Sequence, residues 1–142
     1  MRDFKNNLRP FHLAIPVSDI EKSKKFYQDI LECNIGRSTD NWIDFNLFGH
    51  QLVIHLSNNI KKTNINKVDG YDIPVPHFGV ILEWEQWRDF SNILKDKIIF
   101  VIEPYIRFKG KKGEQATMFF LDPDHNALEF KAFKHDSMIF EK

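Results

Sequence analysis

The sequence predicts an α+β fold: two tandem βαβββ modules whose mixed sheets curl around a metal-binding cup. Three observations carry that expectation. Two short phrases, Phe11-His12-Leu13-Ala14-Ile15-Pro16-Val17 and Pro76-His77-Phe78-Gly79-Val80-Ile81-Leu82, are versions of one strand that opens on histidine. Each is followed by an amphipathic helical stretch and further strands, an internal repeat that has to be recognised before any architecture is assigned. Each copy also closes on a strand with a metal-capable residue at its middle, His55 in Leu52-Val53-Ile54-His55-Leu56 and Glu129 in Ala127-Leu128-Glu129-Phe130-Lys131.

The elements follow in order. Phe11, Leu13, Ile15 and Val17 alternate with His12 and Ala14, the period of a half-buried strand. Ser18-Asp19-Ile20-Glu21 reads as a capping box, with the Ser18 hydroxyl accepting from the first turn and Glu21 reaching back. Ile20, Tyr27 and Leu31 then share a helical face, widened by Phe26 and Ile30, and Asn34 and Gly36 end it. A faint strand around Ile35 to Ser38 precedes two clearer ones, Trp42 to Phe48 and Gln51 to Ser57, turned at Gly49-His50. In the second copy a helix from about Glu85 to Leu94 carries Trp87, Phe90, Ile93 and Leu94 at helical spacing. A strand from Ile98 to Ile102, the Lys109–Gly113 loop, and a hairpin of 116–121 and 126–133 across Asp122-Pro123-Asp124-His125 complete it.

At 142 residues the chain reads as a single domain over 1–142: module one 10–57, a linker 58–75, module two 76–133 and a tail 134–142. The polar linker ends in Ile73-Pro74-Val75-Pro76, where alternate prolines favour extended chain. Fourteen phenylalanines supply a core and argue against disorder. Zero formal charge offers no electrostatic case for nucleic acid or an anionic membrane surface. No apolar run approaches the ~20 residues of a membrane span. The polar start Met1-Arg2-Asp3-Phe4-Lys5 does not resemble a signal peptide, so a cytoplasmic protein is expected. A single cysteine, Cys33, excludes an intrachain disulfide, and with no base nearby in sequence it reads as a packed thiol.

The period of two sorts the candidate chemistry. Leu52, Ile54 and Leu56 oppose Gln51, Val53, His55 and Ser57; Phe78, Val80 and Leu82 oppose His77, Gly79 and Ile81; Leu128, Phe130 and Ala132 oppose Ala127, Glu129, Lys131 and Phe133. In each strand the apolar face suits a covering helix, which leaves the potential ligand on the other face. Small neighbours (Ala14, Gly79, Ala127) leave room there for a bound molecule. Two imidazoles and a carboxylate suit Fe(II), and also Mn(II), Ni(II), Co(II) or Zn(II). His12, His77 and Glu129 are therefore the expected metal set. His55 is either a fourth ligand or the catalytic acid–base group beside the ion.

These residues resemble the vicinal oxygen chelate superfamily, which includes glyoxalase I, extradiol dioxygenases, and fosfomycin- and bleomycin-resistance proteins. The resemblance rests on residues 11–19, on Ser23-Lys24-Lys25-Phe26-Tyr27 before Ile30-Leu31, on Pro76-His77-Phe78-Gly79, and on residues 119–129. It implies a metal that chelates adjacent oxygens of a small-molecule substrate, with His12, His77 and Glu129 as ligands. It places His55 where glyoxalase I has a ligating glutamate, and Phe119 where extradiol dioxygenases have a tyrosine. Tyr105, Arg107, Glu114 and Gln115 flank a glycine-bearing loop of the kind that closes over substrate. Phe119, Tyr105, Arg107 and Gln115 are accordingly the expected substrate-binding residues. The expected function is a metal-dependent enzyme, with Fe(II) and a dioxygenase-like reaction ahead of a glyoxalase-type lyase or isomerase. A non-catalytic resistance-type binding protein is the alternative from another class. A homodimer is expected, because small curled sheets leave edges that association covers.

Overall fold

The computed structural model of the protein describes residues 8–60 and 64–142. It divides into two compact units, Met1–Ile60 and Lys61–Lys142, taken here in turn.

Unit one runs β1 (His12–Val17), α1 (Ile20–Lys25) continuing into a π-helical turn (Phe26–Ile30), β2 (Asn34–Ser38), β3 (Trp42–Leu47) and β4 (His50–Leu56). The sheet order is β1-β4-β3-β2, with β1 parallel to β4 and the other pairs antiparallel. The strand faces separate as the alternation predicts except at three positions: Val53, expected on the polar face, is buried, while Phe11 and Leu56 are exposed. Ile15, Val17, Leu52, Ile54, Ile43, Phe45 and Leu47 are buried, and so are Phe26, Tyr27 and Leu31 of the helical segment. The Tyr27 ring packs 5.4 Å from Phe45 and edge-on to Phe26 at 5.0 Å.

Three local expectations are corrected here. The helix caps on Asp19, not Ser18: Asp19 is extended, and its Oδ1 accepts from the Lys22 N–H at 3.0 Å. A carboxylate is the stronger acceptor there and also favours the positive end of the helix. The helix stops before Asn34 and Gly36, which belong to β2. Its last turn widens, with the Leu31 N–H donating to Phe26 O and the Cys33 N–H to Tyr27 O, and Glu32 takes φ +57° to leave it. The β3–β4 hairpin turns on Phe48-Gly49, both at positive φ (+50° and +91°), so His50 is already the first residue of β4.

Unit two runs β5 (Asn64–Val68), β6 (Tyr71–Val75), β7 (His77–Phe78), β8 (Ile81–Leu82), α2 (Trp84–Leu94), β9 (Phe100–Arg107), β10 (Gln115–Leu121) and β11 (Ala127–Phe133). Its main sheet is ordered β7-β11-β10-β9, with β8 also parallel to β11. This is the connectivity of unit one, so the repeat read from sequence is a repeat of topology. Residues 64–75, read above as extended linker, form the β5–β6 hairpin about Asp69 (φ +51°) and Gly70 (φ +80°). An Asp-Gly pair between alternating residues is a strong hairpin signal, which the Asn- and Lys-rich composition obscured.

The buried stripe of α2 is Trp87, Phe90, Ser91 and Leu94, the i, i+3, i+4, i+7 pattern; Ile93 lies off it and is 45% exposed. Trp87 Nε1–H donates to the Phe130 carbonyl at 2.8 Å, and Phe90 packs edge-on to Phe130 at 5.0 Å, seating the helix on β11. β9 does not end at Ile102 but continues through Glu103-Pro104 to Arg107. It lies at the end of the sheet order with register shifts opposite Thr117–Phe120, which is where a strand tolerates proline. Among the described residues no helix is long and apolar enough to cross a membrane.

The first strand of unit two is interrupted at Gly79-Val80 without losing register: His77 and Phe78 face Ala127 and Leu128, then Ile81 and Leu82 face Lys131 and Ala132. A Cβ on Gly79 would lie 1.6 Å from the Glu129 carbonyl oxygen. Gly79 is thus required for backbone contact, and the room it makes is taken by Glu129, not by a bound molecule as the sequence suggested. Gly79→Ala is expected to cost about 3 kcal/mol, the upper part of the overpacking range, because the clashing atom is backbone. A fall in the urea midpoint with an unchanged m-value checks this.

Candidate functional site

The polar face of the unit-two sheet gathers one cluster. β7 starts with His77 and β11 carries Glu129 two residues beyond its register partner Ala127. His77 Nε2 lies 3.1 Å from Glu129 Oε2, with the side chains 29% and 15% exposed. His77 Nδ1 is 2.7 Å from the Pro74 carbonyl. A carbonyl only accepts, so Nδ1 carries the proton and Nε2 faces the carboxylate. The other Glu129 oxygen accepts from Thr117 Oγ1–H at 2.8 Å and lies 3.7 Å from Lys131 Nζ. Phe119 meets the His77 ring edge-on at 5.0 Å and closes the apolar side.

These contacts set the charges. The Glu129 hydrogen bond raises the His77 pKa, against the opposing pull of burial, and the Pro74 carbonyl adds to the rise. Burial pushes the Glu129 carboxyl up, but the His77 hydrogen bond, Lys131 and Thr117 together outweigh it and hold the carboxyl below its ordinary value.

The four expected substrate residues all lie in unit two. Phe119 pairs across the sheet with Glu129, Tyr105 with Thr117, and Arg107 with Gln115. They are strand residues and do not form a closing loop. The 108–114 loop is tied to itself by Gly110 N–H to Glu114 Oε1 (3.0 Å) and Lys111 N–H to Phe108 O (2.9 Å). The β5–β6 hairpin lies against these residues instead: Asp69 Oδ2 pairs with Arg107 Nε at 2.5 Å, Tyr71 packs 5.4 Å from Tyr105, and Ile73 joins Ile102 and Phe119. Burial, foremost, raises the Tyr105 pKa. Thr117, Lys131, Pro74 and the hairpin residues were not singled out from sequence; Lys131 shares the strand parity of Glu129, while the others are visible only once the strands are paired.

In unit one, His12 Nδ1 lies 2.7 Å from Gln51 Oε1, and Gln51 Nε2–H donates to Asp44 Oδ2 at 3.3 Å. Beside them opens a cleft of about 470 Å³ whose lining includes Asn34, Asp44, Phe45, Asn46, His50 and Gln51. His55 is exposed and pairs in register with Trp42 and Pro16. It lies four residues beyond Gln51, the partner of His12, hence about 13 Å along the strand. The premise that the repeat sets His55 against Glu129 fails on register. His77 faces Ala127 with Glu129 two residues on, whereas His12 faces Gln51 with Val53 two residues on. Val53 is buried, 5% exposed.

The family model described as the glyoxalase/bleomycin resistance protein/dioxygenase superfamily matches residues 9–130. The chain belongs to this superfamily. It is 29% identical over 119 residues to the metallothiol transferase FosB of Staphylococcus haemolyticus, covering 83% of this chain and 78% of that protein. It superposes on a glyoxalase/bleomycin resistance protein/dioxygenase from Alicyclobacillus acidocaldarius with a TM-score of 0.77 and 32% identity, over 99% of this chain and 100% of that one. The fosfomycin resistance protein FosX from Listeria monocytogenes has the same fold, at a TM-score of 0.63, 18% identity, and coverage of 89% and 93%.

Among the described residues of this superfamily member, no three His, Cys, Asp or Glu side chains are gathered closely enough to hold a metal ion by themselves. His77 and Glu129 nevertheless fit one as a pair. Two donors each about 2.1 Å from an ion at a right angle are about 3.0 Å apart, and theirs are 3.1 Å apart with the histidine tautomer already set.

A pH dependence follows. With ordinary values of about 4.3 for glutamate and 6.5 for histidine, the two shifts bound a window. The raised His77 pKa gives stability that is complete below about pH 6.5 and lost as pH climbs through the raised value. The lowered Glu129 pKa gives stability that is complete above about pH 4.3 and lost as pH falls through the lowered value. In metal-free protein, the urea-midpoint difference between wild type and Glu129→Gln is expected to be largest between about pH 4.5 and 6.5. A difference that stays flat across that window and to both sides would mean the pair does not form.

Proposed function

We propose that this chain is a divalent-metal-dependent enzyme, with His12, His77 and Glu129 as the metal-holding set, that transfers a thiol to a small molecule bearing adjacent oxygens. The observation that carries the proposal is the His77–Glu129 pair, donors at ligand spacing on one sheet face. Thiol transfer is taken over dioxygenation because of the similarity to the metallothiol transferase FosB. In addition, the register puts Val53, not His55, at the position equivalent to Glu129.

Once bound, the metal supplies Lewis acidity toward the substrate oxygens and a template for their orientation. The protein's residues do the rest. Pro74 O keeps the proton of His77 on Nδ1, so that Nε2 sheds only its shared proton when it becomes a donor. Thr117 holds one Glu129 oxygen and leaves the other to face His77. Lys131 places a positive charge beside the site, which favours an anionic substrate group or thiolate. The sulfur comes from a second substrate, since Cys33 is buried with its thiol pushed up to about 12. In the transfer a C–S bond forms, a C–O bond breaks, and the thiol proton ends on the released oxygen.

Fosfomycin incubated with glutathione or cysteine and Mn(II), Fe(II), Co(II), Ni(II) or Zn(II) tests the reading. A metal-dependent thiol adduct by mass spectrometry is expected. His12→Ala, His77→Ala and Glu129→Gln should each lose stoichiometric metal and lower turnover by at least roughly 100-fold. Ring cleavage of catechols with oxygen uptake, or turnover of a hemithioacetal, without any thiol adduct would move the assignment to dioxygenase or lyase. The proposal includes a homodimer, supported by exposed Val101 and Ile106 on β9, the last strand in its sheet order. Light scattering at the monomer mass would remove it.

A further inference from the structure

We infer that Gln51, itself oriented by Asp44, is the positioning residue that fixes the tautomer of His12 and aims its Nε2 as a donor. The inference rests on the assignment of His12 to the metal set.

The argument is one of hydrogen-bond polarity. Asp44 on β3, Gln51 on β4 and His12 on β1 lie on adjacent strands, and Gln51 is the register partner of His12. An ionised carboxylate only accepts, so Gln51 must turn its amide N–H toward Asp44 Oδ2, 3.3 Å away. That leaves the amide carbonyl facing His12, with Oε1 2.7 Å from Nδ1. A carbonyl cannot donate, so neutral His12 carries its proton on Nδ1 and keeps its lone pair on Nε2. The orientation of the amide, which chemistry elsewhere leaves open, is decided here by Asp44.

His77 meets the same condition by a different route: the Pro74 main-chain carbonyl accepts from its Nδ1 at 2.7 Å. Each histidine that opens a repeat therefore has the same ring nitrogen tied to a carbonyl and the same nitrogen left for a ligand. In unit two the acceptor is backbone and constant. In unit one it is a side chain whose polarity depends on a second side chain, so it can be reversed by substitution.

The experiment uses the full chain, metal-free and labelled with nitrogen-15, above the pH at which imidazole is neutral. Two-bond proton–nitrogen correlations report the tautomer of each ring, and competition with a chromophoric chelator reports Mn(II) and Zn(II) affinity. Wild type is expected to show His12 protonated on Nδ1. Gln51→Leu is expected to shift it toward the Nε2-protonated form and to weaken metal binding by roughly 10- to 100-fold. The exchanged pair Asp44→Asn with Gln51→Glu restores the polarity, because an asparagine N–H can donate to a glutamate that accepts from His12. It is expected to restore both readouts, which a loss of packing would not do. A wild-type His12 protonated on Nε2, or a tautomer unmoved by Gln51→Leu, would overturn the inference. A tautomer that moves while metal affinity holds would uphold the role of Gln51 and remove His12 from the metal set.

Discussion

The close approach of main chain at Gly79 to main chain at Glu129 is the constraint on which unit two depends. Two parallel strands ordinarily lie about 4.8 Å apart with a side chain at each position. Here a single added carbon would fall 1.6 Å from the Glu129 carbonyl oxygen, so only glycine lets the chain pass. Because β7 and β8 keep one register on either side of that point, His77 and Glu129 are set by the same pairing. Their 3.1 Å separation is a consequence of backbone geometry before it is an ion pair. Thr117 and Phe119 on β10 then meet the pair from the opposite side of β11, one by a hydrogen bond and one by an aromatic edge.

The β5–β6 hairpin adds the second layer of definition. Asp69, Tyr71 and Ile73 recur at period two and engage Arg107, Tyr105 and the Phe119 cluster respectively. At the end of the same strand, the carbonyl of Pro74 holds the His77 ring. One small element thus both packs on the residues expected to meet substrate and orients a donor. Ile73 is buried in this packing, and the charged contact at the turn joins Asp69, 42% exposed, to an Arg107 side chain only 20% exposed.

The two repeats share a connectivity but not a donor set. The position equivalent to Glu129 is the buried Val53, so unit one brings one histidine where unit two brings a histidine and a carboxylate. A valine offers no lone pair, and His55 lies further along the strand. The likeness to a metallothiol transferase gives the site its proposed reaction.

The duplicated βαβββ order, the strand faces and the pairing of His77 with Glu129 on one parity were legible in the sequence alone, because period-two alternation and repeated phrases are local properties of the chain. Local competition decided other features. Asp19 outcompeted Ser18 for the helix cap, and Asp69-Gly70 turned a supposed linker into a hairpin. Only the tertiary structure decided register. Counting along β4 made His55 look equivalent to Glu129, whereas pairing with β1 puts Val53 there, and no single-strand pattern contains that offset. The same holds for Gly79, Thr117, Pro74 and the Asp44–Gln51–His12 chain. Their roles are contacts between strands distant in sequence, set by which backbone groups hydrogen-bond across the sheet and not by the character of any one segment.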